Sequence, residues 1–431
     1  MAERRRNPVR VIVLTRAVYP LHGVGGLERH AFDLIRHHLE NDLHVRLITR
    51  TPRREMVDTD NTDWQAVASH RHFSMDVVPY RTFPFAGRKG TTIVDRSTAY
   101  PMFGRRAGKL ALEHIVSGHG DVVYALGASG YGYALARTRR DPAATAPIVF
   151  NPQGLEEFGG ADGTYGGQRL KHVAYAGLRR AVRRSAAAAD VVVATDRVLV
   201  PVVGRQLGVD PARLRIVPNG IDLRTVDGLA GTGDGRALRA EAGCAEGELV
   251  LLSVGRLERN KGLDVLARAL ARWRDRPSWR WVIVGAGPYR PAIERAAYES
   301  GIASRICWVG RSSDRELHAW YEAADLFVHP TLYEGSSLVT LEAMGHRRPV
   351  VATRAGGLPD KVVHGVTGWL VKPGRATELA DALDAAQRRQ SDWSAMGAEG
   401  RRLVESTFDW RVVGQQLLRV YEEVLAARRG S

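Results

Sequence analysis

Residues 249–273 read LVLLSVGRLERNKGLDVLARALARW. The six residues Leu249–Val254 form a short, charge-free apolar run, the pattern of a strand buried on both faces. From Gly262 to Trp273 leucine, valine and alanine return at helical spacing, so a helix is expected there. The loop between them carries Arg256 and Lys261 and is flanked by Gly255 and Gly262. Strand, polar loop, helix is the repeating unit of a parallel sheet with crossover helices.

The unit recurs along the chain. After residue 273, strands are expected at Trp279–Val284, Arg305–Val309, Leu326–Pro330, Val350–Thr353 and Trp369–Val371. Helices are expected between them at Arg290–Ser300, Asp314–Ala323 and Ser337–Gly345, and after them at Thr377–Arg389. In the first half, strands are expected near Val9–Thr15, His44–Thr49, Val122–Leu126, Ile148–Asn151, Val191–Ala194 and Arg215–Val217. Helices are expected at about Leu27–Leu39 and Gln168–Ala189. The stretch Thr51–Pro101, rich in Pro, Gly and Thr, reads as irregular apart from a strand near Met75–Tyr80. Gly228–Gly235 reads as a surface linker between the halves. The fold class is therefore α/β, with two Rossmann-like doubly wound domains. Ligands of such sheets sit at the carboxyl ends of the strands, which makes a cleft between the domains the expected site.

Composition narrows the class. The chain has 431 residues, 44% hydrophobic and 25% charged, enough apolar material for two cores. Its two cysteines, Cys244 and Cys307, exclude a disulfide framework and a cysteine-based zinc site, and suit a reducing cytoplasm. The longest charge-free runs, Val122–Ala136 and Pro142–Leu155, are too short to span a bilayer. The N-terminus reads as a basic arm entering a strand, without a signal-peptide pattern. The formal net charge is +15. Residues 1–220 hold 32 Lys/Arg against 20 Asp/Glu, and residues 221–431 hold 30 against 27. The excess is densest along Gln168–Arg184, with Arg169, Lys171, Arg179, Arg180, Arg183 and Arg184. A solvated helix face accounts for such a run, and so does attraction to an anionic acceptor or membrane surface. No nucleic-acid-binding signature accompanies it.

Three motifs carry chemistry. Gly23-Val24-Gly25-Gly26-Leu27-Glu28 follows the first strand and lets backbone approach a ligand at a helix N-terminus; Glu28 stands where a dinucleotide fingerprint needs its third glycine. Arg256 and Lys261, five residues apart at a strand's carboxyl end, can neutralise a diphosphate. Glu334 and Glu342 stand eight apart across Gly335-Ser336-Ser337, so one carboxylate lies in the loop and the other in the second turn of a helix. The amides of Ser337, Leu338 and Val339 at that helix start suit a phosphate, with a carboxylate on each side for hydroxyls. The 14 histidines show no metal-ligand spacing and read as structural or surface residues.

These motifs, with Val217-Pro218-Asn219-Gly220-Ile221-Asp222, Val284-Gly285-Ala286-Gly287-Pro288 and Gly356-Gly357-Leu358-Pro359-Asp360 in their order, resemble the retaining glycosyltransferases of family 4, which have the GT-B fold. The resemblance implies an acceptor-side domain at 1–222, a nucleotide-sugar-binding domain at 223–408, and a C-terminal helix, 409–431, packing back on the first. It implies transfer of a sugar from a UDP- or GDP-sugar to an acceptor hydroxyl with retention, in synthesis of cell-surface glycans, glycolipids or glycoconjugates. Arg256 and Lys261 would bind the diphosphate and Glu334 the sugar hydroxyls. Glu342 would hold the ribose, and Ser337, Leu338 and Val339 the distal phosphate. Gly25 and Gly26 would approach the donor, and the base would lie near Gly285 and Val309. Gln153, where histidine is common, and Glu156 are acceptor-side candidates. The resemblance implies no cofactor beyond the donor and no metal. An unidentified acceptor, lipid-linked or anionic, is expected at the cytoplasmic face of a membrane, without nucleic acid. An epimerase or phosphorylase on the same fold is the alternative, and a basic binding protein with an inactive sugar site the third reading.

Overall fold

In the computed structural model, residues 8–52, 61–81, 92–141, 144–153, 155, 158, 175–231, 234–276 and 278–430 are described. The chain divides into two compact units. Unit 1 comprises residues up to Asn219 and those from Val413 onward; unit 2 is Gly220–Val412.

The short apolar runs of unit 1 form one parallel sheet. Its strands are β1 (Arg10–Leu14), β2 (His44–Arg50), β3 (Phe73–Val78), β4 (Val122–Leu126), β5 (Ile148–Asn151), β6 (Val191–Ala194) and β7 (Leu214–Ile216). They lie in the order β3-β2-β1-β4-β5-β6-β7. Unit 2 forms a second parallel sheet from β8 (Leu249–Val254), β9 (Trp279–Val284), β10 (Ile306–Gly310), β11 (Leu326–His329), β12 (Val350–Thr353) and β13 (Gly368–Val371). Its order is β10-β9-β8-β11-β12-β13. The central strands are buried along nearly their whole length, because helices cover both faces. In both sheets the strand order reverses beside a central strand: β1 has β2 and β4 as neighbours, and β8 has β9 and β11. This is the doubly wound α/β class expected from the sequence.

Three expectations need correction. Among its described residues the stretch Thr51–Pro101 is not mainly irregular: it holds a helix at Thr62–Ala68, β3, and the start of a 25-residue helix, Thr92–Val116. Pro101 lies inside that long helix, and its glycines serve packing. A Cβ on Gly104 would lie 2.0 Å from the Ala128 carbonyl oxygen, and one on Gly108 would lie 2.0 Å from the Tyr133 nitrogen. The helix thus touches the backbone that follows β4. Second, Gly228–Gly235 does not join the units. It lies within unit 2, from the end of the helix Leu223–Leu229 to the start of the helix Gly235–Glu241, while the division falls at Asn219/Gly220.

Third, the basic helix offers fewer free cations than its sequence suggests. It runs Ala176–Ala188, and Arg169 and Lys171 lie outside the described residues. Arg179 is buried. Arg183 donates to the Gln206 carbonyl at 2.8 Å and stacks over Phe158. Arg180 and Arg184 are exposed.

The last helix, Trp410–Arg429, begins in unit 2 and continues in unit 1. In unit 2 its start is pinned to Ile221, whose carbonyl accepts from the Trp410 amide at 3.0 Å. In unit 1 the Tyr421 hydroxyl shares a 2.8 Å hydrogen bond with His38 Nε2. Among the described residues no helix is long and apolar enough to cross a membrane.

Candidate functional site

The loops leaving β8 and β11, adjacent strands at the reversal of the second sheet, are tied to each other. The Leu332 amide donates to the Asn260 carbonyl at 2.7 Å, and the Thr331 hydroxyl to the same carbonyl at 2.9 Å. This join brings Lys261 from one loop to Glu334 of the other, with Nζ 2.8 Å from Oε2. His329, the last residue of β11, places Nε2 2.8 Å from the same Oε2. Both side chains of the ion pair are largely withdrawn from water, Lys261 at 20% and Glu334 at 12% exposure.

Two opposing effects fix the charge of Glu334. Burial alone would raise its pKa; the Lys261 charge and the His329 hydrogen bond outweigh burial and hold it well below the usual carboxylate range. Burial pushes His329 down more than Glu334 raises it, so the ring is neutral near pH 7 and its Nε2–H donates. Glu334 is thus a fixed anion, able to accept hydrogen bonds and unable to shuttle a proton near neutrality.

Backbone packs closely around the carboxylate. Gly356 has φ +51, and a Cβ there would lie 1.7 Å from the Glu334 carbonyl oxygen. The Gly357 amide donates to the Gly335 carbonyl at 3.1 Å, so the loop after β12 braces the loop after β11. Gly285 plays the same part after β9: it has φ +136, and its Cβ would lie 1.9 Å from the Gly255 carbonyl oxygen. Its amide donates to the Gly310 carbonyl at 2.6 Å, which draws the end of β10, with half-buried Val309, beside it.

The helix Leu338–Gly345 starts immediately after this loop. Ser337 is its extended N-cap residue, but makes no side-chain cap; its hydroxyl lies 2.9 Å from the Thr340 hydroxyl instead. Ser336 Oγ is buried and has no hydrogen-bond partner among the described residues. The backbone donors of Ser337, Leu338 and Val339 stand with this hydroxyl at a helix start, the kind of end that suits an anion. Glu342, a turn further on, accepts from the Tyr321 hydroxyl at 2.8 Å.

The structure therefore brings Lys261, Glu334, Ser337, Leu338 and Val339 together on adjoining segments, with Glu342 on the same helix. Arg256 is placed differently: its side chain is 78% exposed and pairs with Glu258. Gly25 and Gly26 lie in unit 1, at the start of the helix Gly26–Glu40. Gln153, also in unit 1, has φ +66, and its Nε2 is buried without a partner among the described residues. Glu156 lies outside the described residues. Two members of the site escaped the sequence reading, His329 and Tyr321. His329 could have been found from its place at a strand's carboxyl end; Tyr321 had no comparable signal. Among the described residues no group of three or more His, Cys, Asp or Glu is set to hold a metal ion.

Comparison with known proteins gives matches in both units. Residues 24–225 match the family described as Glycosyltransferase Family 4, and residues 248–388 that described as Glycosyl transferases group 1. The D-inositol 3-phosphate glycosyltransferase of Mycobacterium tuberculosis is 34% identical over 230 residues, which is 51% of this chain and 45% of that protein. The chain thus matches a little under half the length of that relative. Among solved structures, sucrose-phosphate synthase from Thermosynechococcus elongatus superposes with a TM-score of 0.74 at 22% identity, covering 98% of this chain and all of that one. Anabaena HepE, solved with UDP and glucose, gives 0.71 at 21% identity, over 96% of this chain and 99% of that one. The architecture is that of the GT-B proteins. With the family 4 description on the first sheet and the group 1 description on the second, the chain belongs to the family 4, group 1 glycosyltransferases.

Proposed function

We propose that the protein transfers a sugar from a nucleoside diphosphate sugar to an acceptor hydroxyl with retention of configuration. The observation that carries this reading is Glu334, held ionised between Lys261 and His329 beside a helix start rich in free donors. Lys261 and the amides of Ser337, Leu338 and Val339 bind the diphosphate, and Arg256 swings to it from its exposed loop. Glu334 accepts hydrogen bonds from sugar hydroxyls, and Glu342 from the ribose. The bond from the anomeric carbon to the diphosphate oxygen breaks as the acceptor oxygen bonds to the same face of that carbon. The acceptor proton passes to the departing diphosphate oxygen. Glu334, with its depressed pKa, takes no proton in this sequence. Positive charge and oriented amides meet the negative charge that grows on the leaving group. The donor is a UDP- or GDP-sugar; the Anabaena structure with UDP and glucose supports a uridine nucleotide.

Unit 1 receives the acceptor. It carries 35 Lys/Arg against 22 Asp/Glu, a net +13, where unit 2 has a net +2. An anionic or lipid-linked acceptor at the cytoplasmic face of a membrane fits that bias, and cell-surface glycan or glycolipid synthesis follows as the setting. Titration of UDP and GDP against the folded chain tests the donor site. A nucleotide at one hundred times its Kd should stabilise the fold by about 2.7 kcal/mol. Lys261→Ala should abolish most of that shift. If neither nucleotide stabilises the chain, the reading falls.

A further inference from the structure

We propose that unit 1 has an anion site of its own, in which Arg16 and Arg50 hold a phosphate-type group of the acceptor. The proposal rests on the reading that unit 1 receives the acceptor.

Arg16 follows β1, the strand beside which the order of the first sheet reverses. Ligands of doubly wound sheets sit at the carboxyl ends of the strands at such a point. Arg50 is the last residue of β2. Leu14 is in register with Ile48, and the Thr15 amide donates to the Ile48 carbonyl at 3.2 Å. Arg16 and Arg50 therefore leave adjacent strands at the same level. His22 reports their proximity. Its Nε2 lies 2.8 Å from the Arg50 carbonyl oxygen. Burial above all lowers its pKa, and the charges of Arg50 and Arg16 add to the fall, to about 4. Both guanidinium charges thus act on one buried, neutral ring, and both residues leave the sheet at the same level.

Among the described residues Arg16 has spent none of its donors. Its guanidinium carbon lies 4.7 Å from the centre of the Tyr100 ring. Among the described residues it makes no hydrogen bond or ion pair, and its Nε is buried without a partner. Elsewhere in unit 1 three arginines are matched to carboxylates: Arg10 to Asp121, Arg46 to Asp76 and Arg137 to Asp190. Buried cations are normally paired, so a half-buried arginine with no carboxylate beside it among the described residues points to an anion that comes and goes. Its platform is rigid. The Tyr100 hydroxyl donates to the Leu126 carbonyl at 2.9 Å and lies 3.3 Å from Ser129 Oγ, at the end of β4. A Cβ on Gly127 would come within 2.5 Å of that hydroxyl, so the turn admits the ring only as glycine. Arg50 has a similar backing, 5.4 Å from the centre of the Tyr80 ring. Two planar forks fixed on aromatic faces suit the oxygens of a phosphate.

The test is calorimetric titration of the full chain, at constant ionic strength, with inorganic phosphate, glycerol 3-phosphate, and vesicles of phosphatidic acid against phosphatidylcholine. At least one phosphate probe should bind. Glycerol 3-phosphate without vesicle binding marks a soluble acceptor; selective binding of phosphatidic acid marks a lipid-linked one. Arg16→Gln should weaken the binding at least tenfold and Arg50→Gln similarly, with Arg16→Lys intermediate and circular dichroism unchanged in all three. Lys261→Ala should leave it intact, and Arg16→Gln should leave nucleoside diphosphate affinity intact, which separates this site from the donor site. Binding lost in Lys261→Ala but kept in Arg16→Gln would place the phosphate in unit 2 and overturn the proposal without touching the donor reading. Absence of binding by all the phosphate probes would overturn it too.

Discussion

Lys261 and Arg16 occupy matching places, in the loops that leave the central strands of the two sheets, yet they meet charge in opposite ways. Lys261 touches a buried carboxylate that its own charge keeps ionised. Arg16 lies on an aromatic ring, and no described carboxylate is bonded to it. The corner of unit 2 is thus neutralised in advance, and a ligand there must exchange partners with Glu334. In unit 1, on the reading proposed above, it is the Arg16 charge that waits for an anion. The first arrangement favours a ligand with both phosphates and hydroxyls; the second favours anything bearing a dianion.

Substitutions can break this contrast at graded cost. The largest effect should come from Gly356→Ala, because the added carbon has no room beside the Glu334 carbonyl and φ is positive there. Displacing Glu334 by about 1 Å should cut kcat/KM roughly a hundredfold, read in a sugar-transfer assay. Next is Lys261→Ala. A polar loop would tolerate that change, but the buried pair does not: removing one partner should cost about 3 kcal/mol in urea unfolding at pH 7. The sign with pH follows from the depressed pKa of Glu334. Its stabilisation is complete above the unfolded carboxylate value near 4.5 and is lost as pH falls below it. The gap between wild type and variant should therefore narrow below about pH 4.5.

Acid should also separate the units. His22 and His30 are lowered to about 4 and His38 to about 3, in each case chiefly by burial, and all three lie in unit 1. In unit 2 burial likewise lowers His329, and His346 to about 3. Each favours the unfolded state once pH falls below its unfolded value near 6.5, and those lowered to about 4 or 3 do so by about 2 kcal/mol at pH 5. Unit 1 should open first, seen as earlier loss of amide exchange protection in β1 and β2 than in β8 and β11. The smallest effect should be Arg16→Gln on stability. It forfeits a cation–aromatic contact of about 0.5–1 kcal/mol, so the unfolding midpoint should barely move.

The two units also differed in how far they could be read. Unit 2 was legible because its loops are short and its glycines sit where strands end, as Gly255, Gly285 and Gly356 do. In unit 1 the same residue types mislead. Gly104 and Gly108 look like loop formers but lie in a helix pressed against other backbone, and Pro101 sits within that helix. Glu334 and Lys261 were visible from spacing to motif glycines. Their burial was not, since it comes from the join between two loops 73 residues apart. His329 was hidden for a related reason: a lone histidine ending a strand looks structural until the carboxylate beside it is placed. Arg16 carried no pattern at all.

The helix that starts on Ile221 and ends against His38 gives the units different schedules during synthesis. Unit 2 is one continuous segment, Gly220–Val412, and can close as soon as it has left the ribosome. Unit 1 is begun first but completed last. Tyr421, which bonds His38 and lies edge-on to Tyr124 with ring centres 6.3 Å apart, is made 383 residues after His38. Until then the sheet face beneath it is an unfinished apolar surface on a nascent chain. The usual order of N-terminal domain first is therefore reversed at the final step, and that exposed face is where a chaperone would find its grip.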